Sequence, residues 1–143
     1  MRKLNTPTKV QDFLNTLKFN FEKPARPHDV SGAGGKRETC RSPIMVLRNK
    51  SAHCLEGAIL GAYILSHYCH LNFSPLLIHL QATREDYDHV IVPFRVNGLW
   101  GALSKTNHAV LRYREPVYKN IHELVMSYFH EYFLDNGKKT LRK

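Results

Sequence analysis

Three cysteines, one tryptophan and only 12 acidic side chains against 21 basic ones in 143 residues deprive this chain of the materials that several protein classes require. Cys40, Cys54 and Cys69 are odd in number and share no paired spacing, which excludes a disulfide framework and points to a reducing compartment. No stretch approaches the roughly 20 apolar residues that a bilayer span needs. The most apolar segment, after Cys54, is interrupted by Glu56, Ser66 and His67. The opening MRKLNTPTKV lacks the apolar run of a signal peptide, so a soluble cytoplasmic protein with no membrane partner is expected. No internal repeat is visible, which removes solenoids and propellers. The shortage of acid leaves a formal charge of +9, suited to an acidic protein or nucleic acid as partner. The basic residues are dispersed, however, with a modest cluster at Lys138, Lys139, Arg142 and Lys143. No nucleic-acid module appears, so any such binding is expected to be weak, independent of base sequence and sensitive to salt.

What is present suits one compact core. With 43% hydrophobic residues, a chain of this length buries a core without metals or cross-links. A single domain over 1–143 is expected, with a helix and loop over 1–39, a core over 40–137 and a basic tail over 138–143. Thr6 and Pro7 read as cap and first position of a helix whose inner face is Val10, Phe13, Leu14 and Leu17. The segment EKPARPHDVSGAGGKRE has the composition of a connector. Its SGAGGK is not a phosphate-binding loop, because the first required glycine falls at Val30, Arg37 replaces Ser or Thr, and no strand leads in. Ser42-Pro43 starts a short helix over 44–47, and 76–80 reads as a buried strand. Arg112 and Arg114 lead into a long closing helix with Pro116 at its start, Gly137 near its end and a stripe of Val117, Ile121, Leu124, Val125, Tyr128 and Tyr132. The order predicts an α+β domain with an antiparallel sheet.

The chemistry gathers around Cys54. Ser51 is the expected N-cap of the helix that follows, placing Cys54 in the first turn, where the helix dipole and unpaired amides favour a thiolate. Leu55, Ala58, Ile59, Ala62 and Leu65 recur at helical spacing, and Gly57 and Gly61 allow close approach of another segment. His53, adjacent to Cys54, reads first as a capping or surface histidine, with a charge that would lower the thiol pKa. Downstream, Asn97-Gly98 between apolar runs is the signature of a two-residue hairpin turn. If Val96 faces Leu99, Ile91 stands opposite Ser104 and His89 opposite Thr106. His89, Ile91, Pro93 and Arg95 then share a face with Trp100, Ala102, Ser104 and Thr106. A helix packed on that face would bring Cys54 to His89, a nucleophile with its base. The only local cluster with metal-ligand residue types, His67, Cys69 and His70 with Cys54, has poor spacing for zinc. No metal or cofactor is expected.

A helix-borne cysteine, a histidine opening a strand and a hairpin into a strand entered through Trp100 resemble the transglutaminase-like superfamily. The resemblance implies a papain-like core with N-terminal helices, the cysteine helix packed on a small antiparallel sheet and a C-terminal helix. It implies Cys54 as nucleophile, His89 as base, and a third residue a few positions past Trp100 that orients the histidine. Ser104 occupies that place, where the superfamily carries an aspartate, and Asn107 is the substitute if the strand ends early. The tract from about Cys40 to Arg142 is also similar to a group of small bacterial proteins known only as transglutaminase-like. The implied activity is thiol-dependent hydrolysis or acyl transfer on an amide, ester or thioester in an acyl or peptide substrate. The helix amides beside Cys54 would hold the oxyanion. The alternative is an inactive domain of the same fold that binds an acidic protein or nucleic acid, favoured by the uncharged Ser104.

Overall fold

The computed structural model describes residues 4–22, 39–69 and 76–143; the SGAGGK segment and His70 lie outside them. Helix α1 (Pro7–Thr16) begins as its sequence dictates, with the Thr6 side chain accepting the Lys9 amide and proline in the first turn. Helix α2 (Pro43–Asn49) also opens on a proline and ends with Lys50 at φ 51°, a left-handed cap. Two short strands, β1 (Lys18–Phe19) and β2 (Ser51–Ala52), pair in parallel. Helix α3 (Cys54–Tyr68) follows at once.

The main sheet has β3 (Ile78–Leu80), β4 (His89–Val96), β5 (Leu99–Leu103) and β6 (Tyr113–Tyr118) in that spatial order, all antiparallel. Asn97 at φ 51° and Gly98 at φ 83° make the two-residue turn between β4 and β5, both positions in the left-handed region this turn requires. The register pairs Val96 with Leu99 and Val92 with Leu103, as the sequence predicts.

Each face of the sheet carries its own core. Val90, Val92, Phe94 and Leu103 pack with α1 and α3 through Val10, Leu14, Ala58, Leu60 and Ile64. Ile91 and Ala102 pack on the opposite side with Leu80, Leu124, Tyr128, Tyr132 and Leu141. The cysteine helix therefore lies against the valine face and not, as the strand pattern suggested, against the face that His89 shares with Ile91. The valine face is the only continuous apolar stripe of β4, so it attracts the most apolar helix.

The closing helix differs from expectation. Residues 113–118 form edge strand β6, and helix α4 is confined to Ile121–Phe129, with Asn120 as its side-chain cap. Pro116 lies within an edge strand, where a missing N–H is tolerated, and Val117 of the proposed stripe is 61% exposed. The basic segment 138–143 is hydrogen-bonded to the segment after β3. The Lys143 carbonyl accepts the Gln81 amide at 2.8 Å, the Arg142 amide donates to Gln81 at 2.8 Å, and Thr83 donates to the Thr140 carbonyl at 2.9 Å. Leu141 is buried, so this segment braces the loop that leads to His89. No helix among the described residues is long and apolar enough to cross a membrane.

Candidate active site

The start of α3 is built around one carboxylate. Glu56 is fully buried, and Arg41 grips it with two guanidinium bonds of 2.8 Å and its own amide at 3.1 Å. The Thr39 hydroxyl donates to it at 2.8 Å, Asn20 at 3.2 Å and the His53 amide at 3.2 Å. Burial alone would raise this carboxyl, but the bonds from Arg41 and Thr39 bring it down to about 2. Glu56 thereby ties β1, the segment before α2 and the N-terminus of α3 to one point, three positions from the N-cap.

The N-cap is His53 rather than Ser51, which lies in β2. Its Nδ1 accepts the Leu55 amide at 3.2 Å, while Nε2 stands 2.7 Å from the Thr39 carbonyl and donates to it. A ring nitrogen replaces the usual hydroxyl or carboxylate oxygen at this position. The Leu55 amide, one of those expected to hold an oxyanion, is thus engaged by the cap. Cys54 follows as the first residue of the helix.

His89 is the first residue of β4 and is buried. Because Cys54 opens its helix and His89 opens its strand, the two meet where these elements begin, although α3 lies on the other face. The imidazoles of His89 and His53 are the groups that act on the Cys54 thiol, and the buried Nε2 of His89 has no hydrogen-bond partner among the described residues. Burial opposes the thiolate, yet bonds from the two imidazoles, followed by their charges, lower the Cys54 pKa from 9.0 to about 6. His53 is correspondingly raised to about 9: burial works against the imidazolium, and its bonds with Cys54 and the Thr39 carbonyl and the charge of Glu56 outweigh it. Cys69, in contrast, is only pushed up by burial.

Cys54 and His89 are thus brought together, but Ser104 and Asn107 do not join them by any hydrogen bond. Ser104 is fully buried, and its hydroxyl donates to the carbonyls of Leu111 at 2.7 Å and Arg112 at 3.1 Å. Its backbone is clamped by Gln11 of α1, which accepts the Ser104 amide at 3.0 Å and donates to its carbonyl at 2.9 Å. Asn107 is exposed.

Thr106 is the residue that continuing the β4–β5 register sets opposite His89. It is 6% exposed, and its hydroxyl accepts the His108 amide at 3.0 Å, leaving a second lone pair for another donor. The turn-derived register already held this signal. Between Ser104 and Thr106, Lys105 crosses α3 so closely that a Cβ on Gly57 would fall 2.1 Å from the Lys105 Cβ. The close approach expected at this glycine is made by that lysine. Tyr132, buried in the Leu80–Ile91 core, has its phenol pushed further up by burial and by the charges of Asp86 and Cys54. Among the described residues no group of three or more potential ligands is placed to hold a metal.

The chain is similar to known proteins over the part that holds this site. A family model described as Vasohibin matches residues 36–143, a span that contains Cys54, His89, Thr106 and the bracing segment. A mouse (Mus musculus) protein named tubulinyl-Tyr carboxypeptidase 1 is 28% identical over 75 residues, covering 52% of this chain and 20% of that protein. The chain thus spans about one fifth of the length of the curated relative it matches. The α+β architecture with helices against an antiparallel sheet agrees with the papain-like, transglutaminase-like core expected. The finer likeness that these matches show is to this family. With the family model covering most of the sequence, the thiol site included, the chain belongs to the vasohibin family.

Proposed function

We propose that this chain is a thiol peptidase domain that removes a residue from the C-terminal end of an acidic polypeptide. The observation that carries the reading is a cysteine at a helix start beside the buried His89, with its pKa lowered to about 6, the state a nucleophile needs near neutrality. The carboxypeptidase name of the mouse relative supports cleavage at a chain end, and the +9 charge supports an acidic substrate.

In the acylation step the Cys54 thiolate attacks the scissile carbonyl carbon and a sulfur–carbon bond forms. The carbon–nitrogen bond breaks as the leaving amine takes a proton from the His89 imidazolium, which leaves a thioester. Water then attacks the thioester while His89 accepts its proton, releasing the shortened chain as a carboxylate and restoring the thiolate–imidazolium pair. The buried Nε2 of His89 is left without a partner among the described residues, and Thr106, which the continued register sets opposite it, has the spare lone pair to orient the ring when substrate binds. The engaged hydroxyl of Ser104 and the exposure of Asn107 favour Thr106 over both.

Incubation of the full chain with acidic peptides ending in a free carboxylate, followed by mass spectrometry, tests the reading. Loss of one C-terminal residue is expected, with activity abolished in Cys54→Ala and His89→Ala and weakened by raised salt. A C-terminally amidated peptide should resist. Binding without cleavage, equal in wild type and Cys54→Ala, would instead establish the inactive binding domain.

A further inference from the structure

The superfamily resemblance sets a polar orienting group beside the base, and the residue it offers for that place, Ser104, is committed to two backbone carbonyls. A fully buried carboxylate does stand two positions along the Cys54 helix. Glu56 is reached from Cys54 through His53, whose amide donates to it at 3.2 Å and whose Nε2 lies 3.6 Å from its Oε1. We propose that His53 is a second imidazole serving the Cys54 sulfur, anchored by the buried Glu56, so that the acid absent behind His89 stands behind His53 instead. The proposal rests on the reading of Cys54 as the nucleophile.

The geometry gives the two nitrogens of His53 different tasks. Nε2 is fixed as a donor by the Thr39 carbonyl at 2.7 Å, with the carboxylates of Glu22 at 3.5 Å and Glu56 at 3.6 Å beside it. Nδ1 faces the first turn of α3, where it accepts the Leu55 amide when the ring is neutral. Uptake of a solvent proton at Nδ1 forms an N–H bond and leaves a second imidazolium beside the thiolate, whose own proton is held by His89. Nδ1 can then no longer accept, so the Leu55 amide is released to the space beside the sulfur. Protonation of His53 thus stabilises the charged nucleophile and frees an oxyanion donor.

The charged groups facing the ring come from three elements. Glu22 approaches from the segment after β1, Arg41 from the segment before α2 through its pairing with Glu56, and Cys54 and Glu56 from α3. Two carboxylates near Nε2 against one guanidinium favour the imidazolium. The contacts of Glu56 with Arg41, Thr39 and Asn20 hold the ring in place, which makes Glu56 a positioning residue.

Asparagine separates the titration from the cap, since it is among the preferred N-cap residues. In His53→Asn the Leu55 amide keeps an acceptor and the imidazole is gone. The pH dependence of Cys54 alkylation by iodoacetamide in the full chain should move upward. The rate near pH 6.5 should fall about tenfold, the equivalent of one pKa unit, with the melting temperature held. Glu56→Gln should shift the profile in the same direction by less. A His53→Asn profile that superimposes on a low-pH wild-type profile would overturn the proposal and leave the Cys54–His89 reading standing. A wild-type Cys54 with an ordinary thiol profile would remove both. Nitrogen-15 NMR of the wild-type His53 ring needs no variant. Both nitrogens protonated near pH 7.5 is the expected result, and a neutral ring beside an ionised Cys54 the contrary one.

Discussion

At the residue scale the site turns on which groups have hydrogen-bonding capacity left. Ser104, the residue that the superfamily resemblance favours, has spent its hydroxyl on Leu111 and Arg112 and its backbone on Gln11, so it stiffens the end of β5. Thr106 keeps a lone pair after accepting the His108 amide. Thr106→Ala should therefore lower turnover by about tenfold or more and shift the alkylation profile of Cys54, with little loss of stability. Ser104→Ala should do the reverse, leaving that profile in place and costing about 1–3 kcal/mol through two unpaired carbonyls, read from denaturant unfolding. The sequence exposed Cys54 and His89 because each is an unusual residue at the start of a regular element. It could not expose the grip of Glu56 on Arg41, Thr39 and Asn20, which joins residues 15, 17 and 36 positions apart with no local pattern to announce it.

At the scale of elements, local chemistry was legible where it was self-sufficient. Thr6-Pro7 starts α1 and Asn97-Gly98 turns the hairpin, each for reasons contained in a few residues. The face on which α3 packs was not. Alternation in β4 separates His89 and Ile91 from Val90 and Val92, but both sets are buried, so which face receives which helix is decided by partners distant in sequence. Pro116 likewise reads as a helix start until the sheet supplies an edge for residues 113–118. The contact between α3 and Lys105 makes a sharp test of this packing. A methyl group at Gly57 has no room beside the Lys105 Cβ at 2.1 Å, so Gly57→Ala should destabilise the chain by about 1–3 kcal/mol, the usual cost of overpacking. Because the displaced lysine precedes Thr106, turnover should fall even in the fraction that remains folded, as thermal melting and activity measured together would reveal.

For the whole molecule, the sheet divides labour between its faces. The valine face fixes the Cys54 helix, the Ile91 face fixes the segments around His89, and residues 138–143 tie the approach to that histidine through Gln81 and Thr83. The positive charge belongs to this scale too, since beyond the modest cluster at Lys138, Lys139, Arg142 and Lys143 the basic residues are dispersed along the sequence. In the proposed function this architecture activates one thiol, and selective alkylation of the folded chain reads that activation. Cys40 is exposed, whereas Cys54 and Cys69 are partly buried, so access alone favours Cys40. Brief treatment of the folded chain with a mild alkylating agent at neutral pH, with the modified residues mapped by mass spectrometry, should label Cys54 first and leave Cys69 largely unmodified. Labelling that follows exposure, with Cys40 leading and Cys54 no faster than Cys69, would contradict it.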